Sequence, residues 1–403
     1  MIVRLKDAIK SVSTGADAIQ RAPIVEYDTG VKCLRIGDIS NKRKYTDWGF
    51  SKVNEDNYRK YKLKKGDIIV ARTGSTVGIN KYIQKDYNAV YNNGLIRLEV
   101  DELKYDRKFI YYIMQTQSFK NYINGIAFGT TGQPNIQIND LLNFKFNYLP
   151  LELQHKIVKV IDSLNKKIEL NNQINDNLFE ISRMDFEKLY QNNKLWNECR
   201  IDDLNLYISD YVANGSFKSL SENVRLYDEK EYALFIRNTD LKVNFTQERK
   251  YVDKHSYDFL KKSQLFGREL IISNVGDVGS IFLCPSYKFP MSLGNNVIMV
   301  DSKNLEINYN YYLYYFFKSN QGQHLIDGIT GGSAQPKFNK TDFRTSRIRI
   351  PSKDELEAFN KKVIPIYNKI ELNIFENETL AQLRDTLLPK LMNDKIDLDN
   401  IEN

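Results

Sequence analysis

Lys167-Ile168-Glu169-Leu170-Asn171 and Lys369-Ile370-Glu371-Leu372-Asn373 are the same five residues met twice, 202 positions apart. The offset recurs. Arg35-Ile-Gly-Asp-Ile is answered by Arg237-Asn-Thr-Asp-Leu, Asn93-Gly-Leu-Ile by Asn295-Asn-Val-Ile, and Gln133-Pro134 by Gln335-Pro336, all at 202 and in one order. Gly66-Asp-Ile-Ile-Val-Ala-Arg-Thr-Gly74 and Gly267-Arg-Glu-Leu-Ile-Ile-Ser-Asn-Val-Gly276 match at 201, as a one-residue slip in a loop gives. A period this long is not a solenoid's, so the chain reads as two copies of one unit.

Each copy has two textures. Residues 1–150 mix short β-branched and aromatic runs with Gly and Asn turns, which predicts strands joined by tight loops plus one or two helices. From Leu151 to about Tyr190 there is neither Gly nor Pro, and Ile157, Ile161, Leu164 and Ile168 fall in the 4-3-4 spacing of one helical stripe. The stripe continues through Asn171, Asn175 and Leu178. In the second copy Ile366, Ile370, Asn373, Asn377 and Leu380 occupy the equivalent places, with Leu387 beyond them. Pro365 predicts a kink or a late start there. A helix of about 35 residues is roughly 50 Å long, so part of its stripe must meet another helix, and the other copy is the obvious partner. Antiparallel packing would set the two modules at opposite ends of a rod. A seam asparagine fixes register at a cost in stability, so leucine there is expected to stabilise; the alternative is that these amides face solvent.

Composition narrows the class. The 403 residues are 42% apolar and 27% charged, enough for two or three domains and unlike a disordered chain. No apolar run approaches a membrane span, and residues 1–7 lack the plan of a secretory signal, so a cytoplasmic protein is expected. Cys33, Cys199 and Cys284 are far apart and odd in number, which indicates reduced thiols rather than disulfides or a zinc cage. The net charge of +7 is concentrated: residues 1–150 carry 24 Lys and Arg against 15 Asp and Glu. That suits a polyanionic partner.

Reactive chemistry is missing. No proline is followed by another, so the Asn-Pro-Pro-aromatic or Asp-Pro-Pro-aromatic tetrad of amino-methylating DNA methyltransferases is absent. Neither a phosphate loop nor a dinucleotide fingerprint occurs. His155, His255 and His324 are isolated, and Glu102-Leu-Lys104 is a nuclease-like fragment without its upstream acid. No catalytic residue, metal ligand or bound cofactor is expected in this chain.

Binding chemistry remains. Arg72, Thr73 and Ser75 offer donors around Gly74 just after an apolar strand, where a hairpin turn is the plain alternative. Lys42, Arg43 and Lys44 form a basic loop suited to phosphates, or merely to water. Residues 130–135, with Gln133 and Asn135, and residues 331–337, with Ser333, Gln335 and Lys337, are Gly-containing loops at matching places; their amides and hydroxyls suit base edges. Aromatic residues 109–114 and 311–317 read as core rather than as stacking platforms.

The Gly66–Gly74 and Gly267–Gly276 segments, the paired Gln-Pro loops, and the helix openings Leu149-Pro-Leu-Glu-Leu-Gln154 and Ile350-Pro-Ser-Lys-Asp-Glu355 together resemble the specificity subunit of type I restriction-modification enzymes, as does the tail Leu383-Arg-Asp-Thr-Leu-Leu-Pro-Lys-Leu391. The resemblance covers nearly the whole chain. It implies an α/β (α+β) fold of two duplicated strand-rich target recognition domains, 1–150 and 193–350, separated by two long antiparallel coiled-coil helices, 151–192 and 351–403. Each domain would read half of a split double-stranded DNA site. The helices would set the spacer and dock two methyltransferase subunits, which use S-adenosylmethionine, and restriction subunits would complete the complex. Further expected DNA contacts are Lys81 in the first copy, and Arg237, Asn238, Ser273, Asn274, Asn295 and Asn296 in the second. Ile272-Ser-Asn274 stands where the first copy has Ala71-Arg-Thr73, as expected of modules reading different sequences. A helical scaffold with capping domains, or a DNA-modifying enzyme with unrecognised catalytic residues, are the alternatives.

Overall fold

Ile68–Ala71 is apolar at every position and buried on both faces, as a central strand requires. The computed structural model of this protein describes all residues except 18–19, 128–133, 193–195, 243–244, 246–247, 333 and 393–403. In it the strand lies within an antiparallel sheet ordered Ile9–Thr14, Leu95–Val100, Ile68–Ala71, Asn80–Tyr82. Because side chains alternate, Ile68 and Val70 face one core with Leu98, Phe109 and Ile113, while Ile69 and Ala71 face another with Cys33 and Tyr91. A second sheet runs Ile24–Val25, Phe50–Ser51, Lys32–Leu34, Ala89–Tyr91, the last two strands parallel. Ile2–Arg4 pairs with Lys145–Asn147.

The chain divides into two units, residues 1–169 with 377–403, and residues 170–376. The second unit repeats the plan of the first. Its antiparallel sheet is ordered Tyr207–Asp210, Val297–Asp301, Leu270–Ser273, Ile281–Leu283. Its other sheet runs Leu226–Tyr227, Lys250–Val252, Ala233–Ile236, Met291–Leu293, Gln264–Leu265, again with one parallel pair, Ala233–Ile236 with Met291–Leu293. Glu198–Arg200 pairs with Arg347–Arg349. The aromatic runs are core: Phe109, Ile110 and Tyr112 on the helix Arg107–Ile113, and residues 311–317 on the helix Asn310–Lys318.

The first long helix is Leu151–Asn192, 42 residues, and the second is Lys353–Met392, 40 residues. Ser352 and Glu355 start the second by a reciprocal cap: Glu355 N donates to Ser352 Oγ (3.4 Å) and Ser352 N to Glu355 Oε2 (2.9 Å). The helix then continues through Pro365, which corrects the expected late start. Leu356, Phe359 and Val363 are buried ahead of the proline, and Tyr367 behind it, its hydroxyl 2.9 Å from that of Tyr315. That burial outweighs the one backbone hydrogen bond that proline removes.

Candidate nucleic-acid interface

In both units the loop that follows the central strand is stitched to the Gln-Pro loop by backbone hydrogen bonds. In the first, Gly74 N donates to Pro134 O (3.0 Å), Ile136 N to Arg72 O (2.9 Å), and Thr73 bridges Asn135; Arg72 N donates to Gly94 O (2.8 Å). In the second, Gly276 N donates to Pro336 O (2.9 Å), Phe338 N to Asn274 O (3.1 Å), Val275 bridges Lys337, and Asn274 N donates to Asn296 O (3.1 Å). Three segments far apart in sequence therefore meet at one place, twice. Gly74 and Gly276 both have left-handed backbone (φ 89° and 77°), which bends the loop back toward its partner.

This geometry gathers Arg72, Thr73, Ser75 and Asn135 in the first unit and Asn274, Asn295, Asn296, Gln335 and Lys337 in the second. Ser75, Asn295, Asn296, Gln335 and Lys337 are exposed. Arg72 Nε and Asn135 Oδ1 are buried without a hydrogen-bond partner among the described residues, as is Asn92 Oδ1 in the turn beside Gly94. A polar atom left so is costly unless a ligand or water meets it. Gln133 and Ser333 lie outside the described residues.

Other expected contacts have structural employment. Arg237 is held by buried Asp240, its Nε 2.9 Å from Oδ2 and an Nη 2.6 Å from Oδ1, and it also donates to Glu248 O. Arg35 and Asp38 repeat the arrangement in the first unit, and Arg43 adds an Nη to Asp38 Oδ1 at 3.2 Å. Lys42 and Lys44 are exposed, Lys42 at the left-handed turn (φ 50°). Asn238 Nδ2 donates to Ser273 Oγ (3.1 Å), which is buried. Lys81 is half-buried in the edge strand Asn80–Tyr82 rather than in the loop pair, and burial pushes its ammonium below the usual lysine range.

Along the helices, Ile157 and Ile161 pack with Leu388, Leu391 and Met392 in the first unit, where Arg384 donates to Asn165 Oδ1 (3.0 Å). In the second unit Asn171 Nδ2 donates to Glu376 Oε2 (2.7 Å) and Asn373 Nδ2 to Asn175 Oδ1 (2.7 Å), so rising numbers on one helix meet falling numbers on the other: the segments are antiparallel. Asn171 and Asn373 are each 1% exposed. Leu164, Ile168, Leu178, Ile370, Asn377 and Leu380 are half-buried. Ile366 is half-buried too, and Val363 and Tyr367 are the buried positions beside it. Sequence reasoning missed Glu376 and a row of exposed apolar residues on the first helix, Leu170, Ile174, Ile181 and Met184. Their spacing of 4, 7 and 3 puts them on one face, a second stripe beside the seam.

Two copies of a strand-rich module carrying a polar loop pair, each continuing into a long helix, define a duplicated protein whose repeats share one scaffold and differ in their loops. Among the described residues no cluster of three or more His, Cys, Asp or Glu side chains is placed to hold a metal, and no helix is long and apolar enough to cross a membrane. The family described as type I restriction modification DNA specificity domain matches residues 2–180 and again 194–383, and this chain belongs to that family. It is similar to the specificity subunit of the type I restriction enzyme HindI of Haemophilus influenzae, at 21% identity over 90% of this chain and 94% of that one. It is also similar to the putative type I restriction enzyme MjaX specificity subunit of Methanocaldococcus jannaschii, at 22% identity over 97% and 92%. The crystal structure of a type I restriction-modification system S subunit from M. genitalium shares the fold, with a TM-score of 0.56 and 17% identity over 97% of this chain and 95% of that one.

Proposed function

We propose that this chain is the non-catalytic DNA sequence-specificity subunit of a type I restriction-modification system. Each strand-rich module reads one half of a bipartite duplex site, and the long helices set the spacer. The observation that carries the reading is the loop pair built twice on one scaffold with different side chains, Arg72 and Asn135 in one copy, Asn274 and Lys337 in the other. Arginine and lysine pair with guanine O6/N7, asparagine and glutamine with adenine N6/N7, so the two copies read different edges. Lys42 and Lys44 supply sequence-independent phosphate contacts.

The row Leu170, Ile174, Ile181 and Met184 gives a methyltransferase subunit an apolar helix face to dock on. Two such subunits bind per chain, matching the two modules, and S-adenosylmethionine is used by them and not by this chain. Restriction subunits join the larger complex, which works in the cytoplasm. Sequencing methylated bases in cells with and without the chain tests the reading: a split motif should vanish with it. An unchanged methylome refutes the proposal, as does purified chain that methylates DNA alone. Affinity of the chain with its methyltransferase should fall steeply with salt, because phosphate contacts release counterions.

A further inference from the structure

Phe217 is the most exposed aromatic side chain among the described residues, at 83%. It is the first residue of the helix Phe217–Asn223, whose cap is Ser216 Oγ accepting from Ser219 N. Leu220, one turn on, is buried with Phe235 and Val252, so the helix is anchored and Phe217 is held out by a fixed backbone. Phe217 lines a cavity of about 390 Å³ together with Asn274, Asn295, Asn296 and Val212, which is 46% exposed; the carboxylate in the lining, Asp210, is paired with Lys340 (2.8 Å). The first unit has no matching helix among its described residues: nine residues separate Thr14 from Ile24, against fifteen between Asp210 and Leu226.

An aromatic ring and a valine that line one cavity with Asn295, Asn296 and Asn274, the last with its Nδ2 donating to Phe338 O (3.3 Å), match a base that carries a methyl group beside hydrogen-bonding atoms. Phosphate offers no apolar group to Phe217, and contacts to the sugar carry no sequence information. In the major groove the thymine C5-methyl is the apolar feature a base pair presents, and it adjoins the O4 acceptor. We infer that Phe217 and Val212 clamp the methyl group of a thymine in the half-site read by the second module, while the amides of Asn274, Asn295 and Asn296 take polar atoms at the same step. The inference rests on the DNA-reading role proposed above and names two specificity-determining residues for one half of the site.

The test uses the chain with its methyltransferase partner and duplexes bearing the site it methylates. Each thymine of the second half-site is replaced singly by deoxyuridine, which removes only the methyl. One position should lose about four- to tenfold in affinity, the worth of one buried methyl. Phe217→Ala should lose most of the discrimination between thymine and uracil there and Phe217→Ala with Val212→Ala all of it, Phe217→Leu should keep most of it, and none should change binding to the first half-site, which also reports that the variants fold. The inference is overturned if the second half-site holds no thymine, if no position distinguishes thymine from uracil, or if Phe217→Ala distinguishes them as well as the unaltered chain does. Lost capture of the methyltransferase by Phe217→Ala with base preference unchanged would assign the cleft to a protein partner instead. Failure of specific binding altogether would sink the DNA-reading role itself, and this inference with it.

Discussion

Asn171 and Asn373 look alike in the sequence and differ in the structure. Asn171 donates to the Glu376 carboxylate, a charge-assisted bond, whereas Asn373 donates to the neutral Asn175 and keeps a buried Oδ1 without a partner among the described residues. The stabilisation expected of leucine therefore separates into two outcomes. Asn171→Leu removes a donor from a carboxylate and should cost about 1 to 3 kcal/mol in denaturant unfolding. Asn373→Leu exchanges one neutral bond for the removal of an orphaned acceptor and should lie within about 1 kcal/mol of zero. Equal effects would mean that Glu376 does not matter. Thiols give a second test. Burial pushes the Cys33 thiol up to about 12 and raises Cys284 well above its ordinary value, while Cys199 is less buried and less enclosed. At pH 8 only about one Cys33 in ten thousand is thiolate, so mass spectrometry should find iodoacetamide on Cys199 first. A raised folded value stabilises fully below the ordinary thiol range and is lost above it. Stability should fall as pH rises from about 9 to about 12, and a Cys33→Ala variant should lose part of that slope.

Helices and loops were legible to different degrees. The gap in Gly and Pro from 151 to 190 and the 4-3-4 stripe are local, so the first long helix could be read directly. Pro365 misled because proline acts on one hydrogen bond, while burial of Phe359, Val363 and Tyr367 acts over several turns and has no local signature. Pro365 is itself exposed, so Pro365→Ala should restore the bond to the Lys361 carbonyl without repacking and raise stability by about 1 to 3 kcal/mol, seen as a higher Tm. The loops behaved the other way. Their residue types suggested binding, but that Thr73 pairs with Asn135, and Val275 with Lys337, depends on strand order and could not be read from spacing. Arg237 is expected at DNA, yet Asp240, three residues on, holds its guanidinium, a pairing whose spacing is local. Phe217 escaped notice because an exposed phenylalanine and a core phenylalanine are the same letter. For the first helix, Ile181→Lys with Met184→Lys should abolish co-purification with the methyltransferase subunit and leave the far-ultraviolet circular dichroism unchanged, since both side chains are about half exposed.

Duplication at the scale of the whole chain makes the halves separable in experiment. The two units share strand order, including a parallel pair in each, except for Gln264–Leu265 added at one edge of the second unit's mixed sheet, and differ in the loops that carry the polar side chains. Exchanging residues 1–150 for the module of a related subunit should change one half of the methylated site and leave the other half and the spacer as they were. A swap of 199–350 should do the converse. Single-molecule sequencing of methylated adenines reads both, and a swap that alters both halves or the spacer would show that the modules do not read DNA independently. The period of 202 announced this architecture, because duplication preserves glycines and apolar runs while loops diverge.

The first unit draws on both ends of the chain, since Leu388, Leu391 and Met392 complete the core around Ile157 and Ile161. On the ribosome those partners are separated in time. At roughly 5 to 20 residues per second, the isoleucines wait on the order of 10 to 45 seconds for the leucines to be made. Residues 170–376 contain all of the second unit and emerge first as a finished set. The order of maturation therefore inverts the order of synthesis: the later-made unit can close while the earlier one still shows an open apolar face. A nascent chain of this protein keeps the apolar face around Ile157 and Ile161 open until Leu388, Leu391 and Met392 arrive.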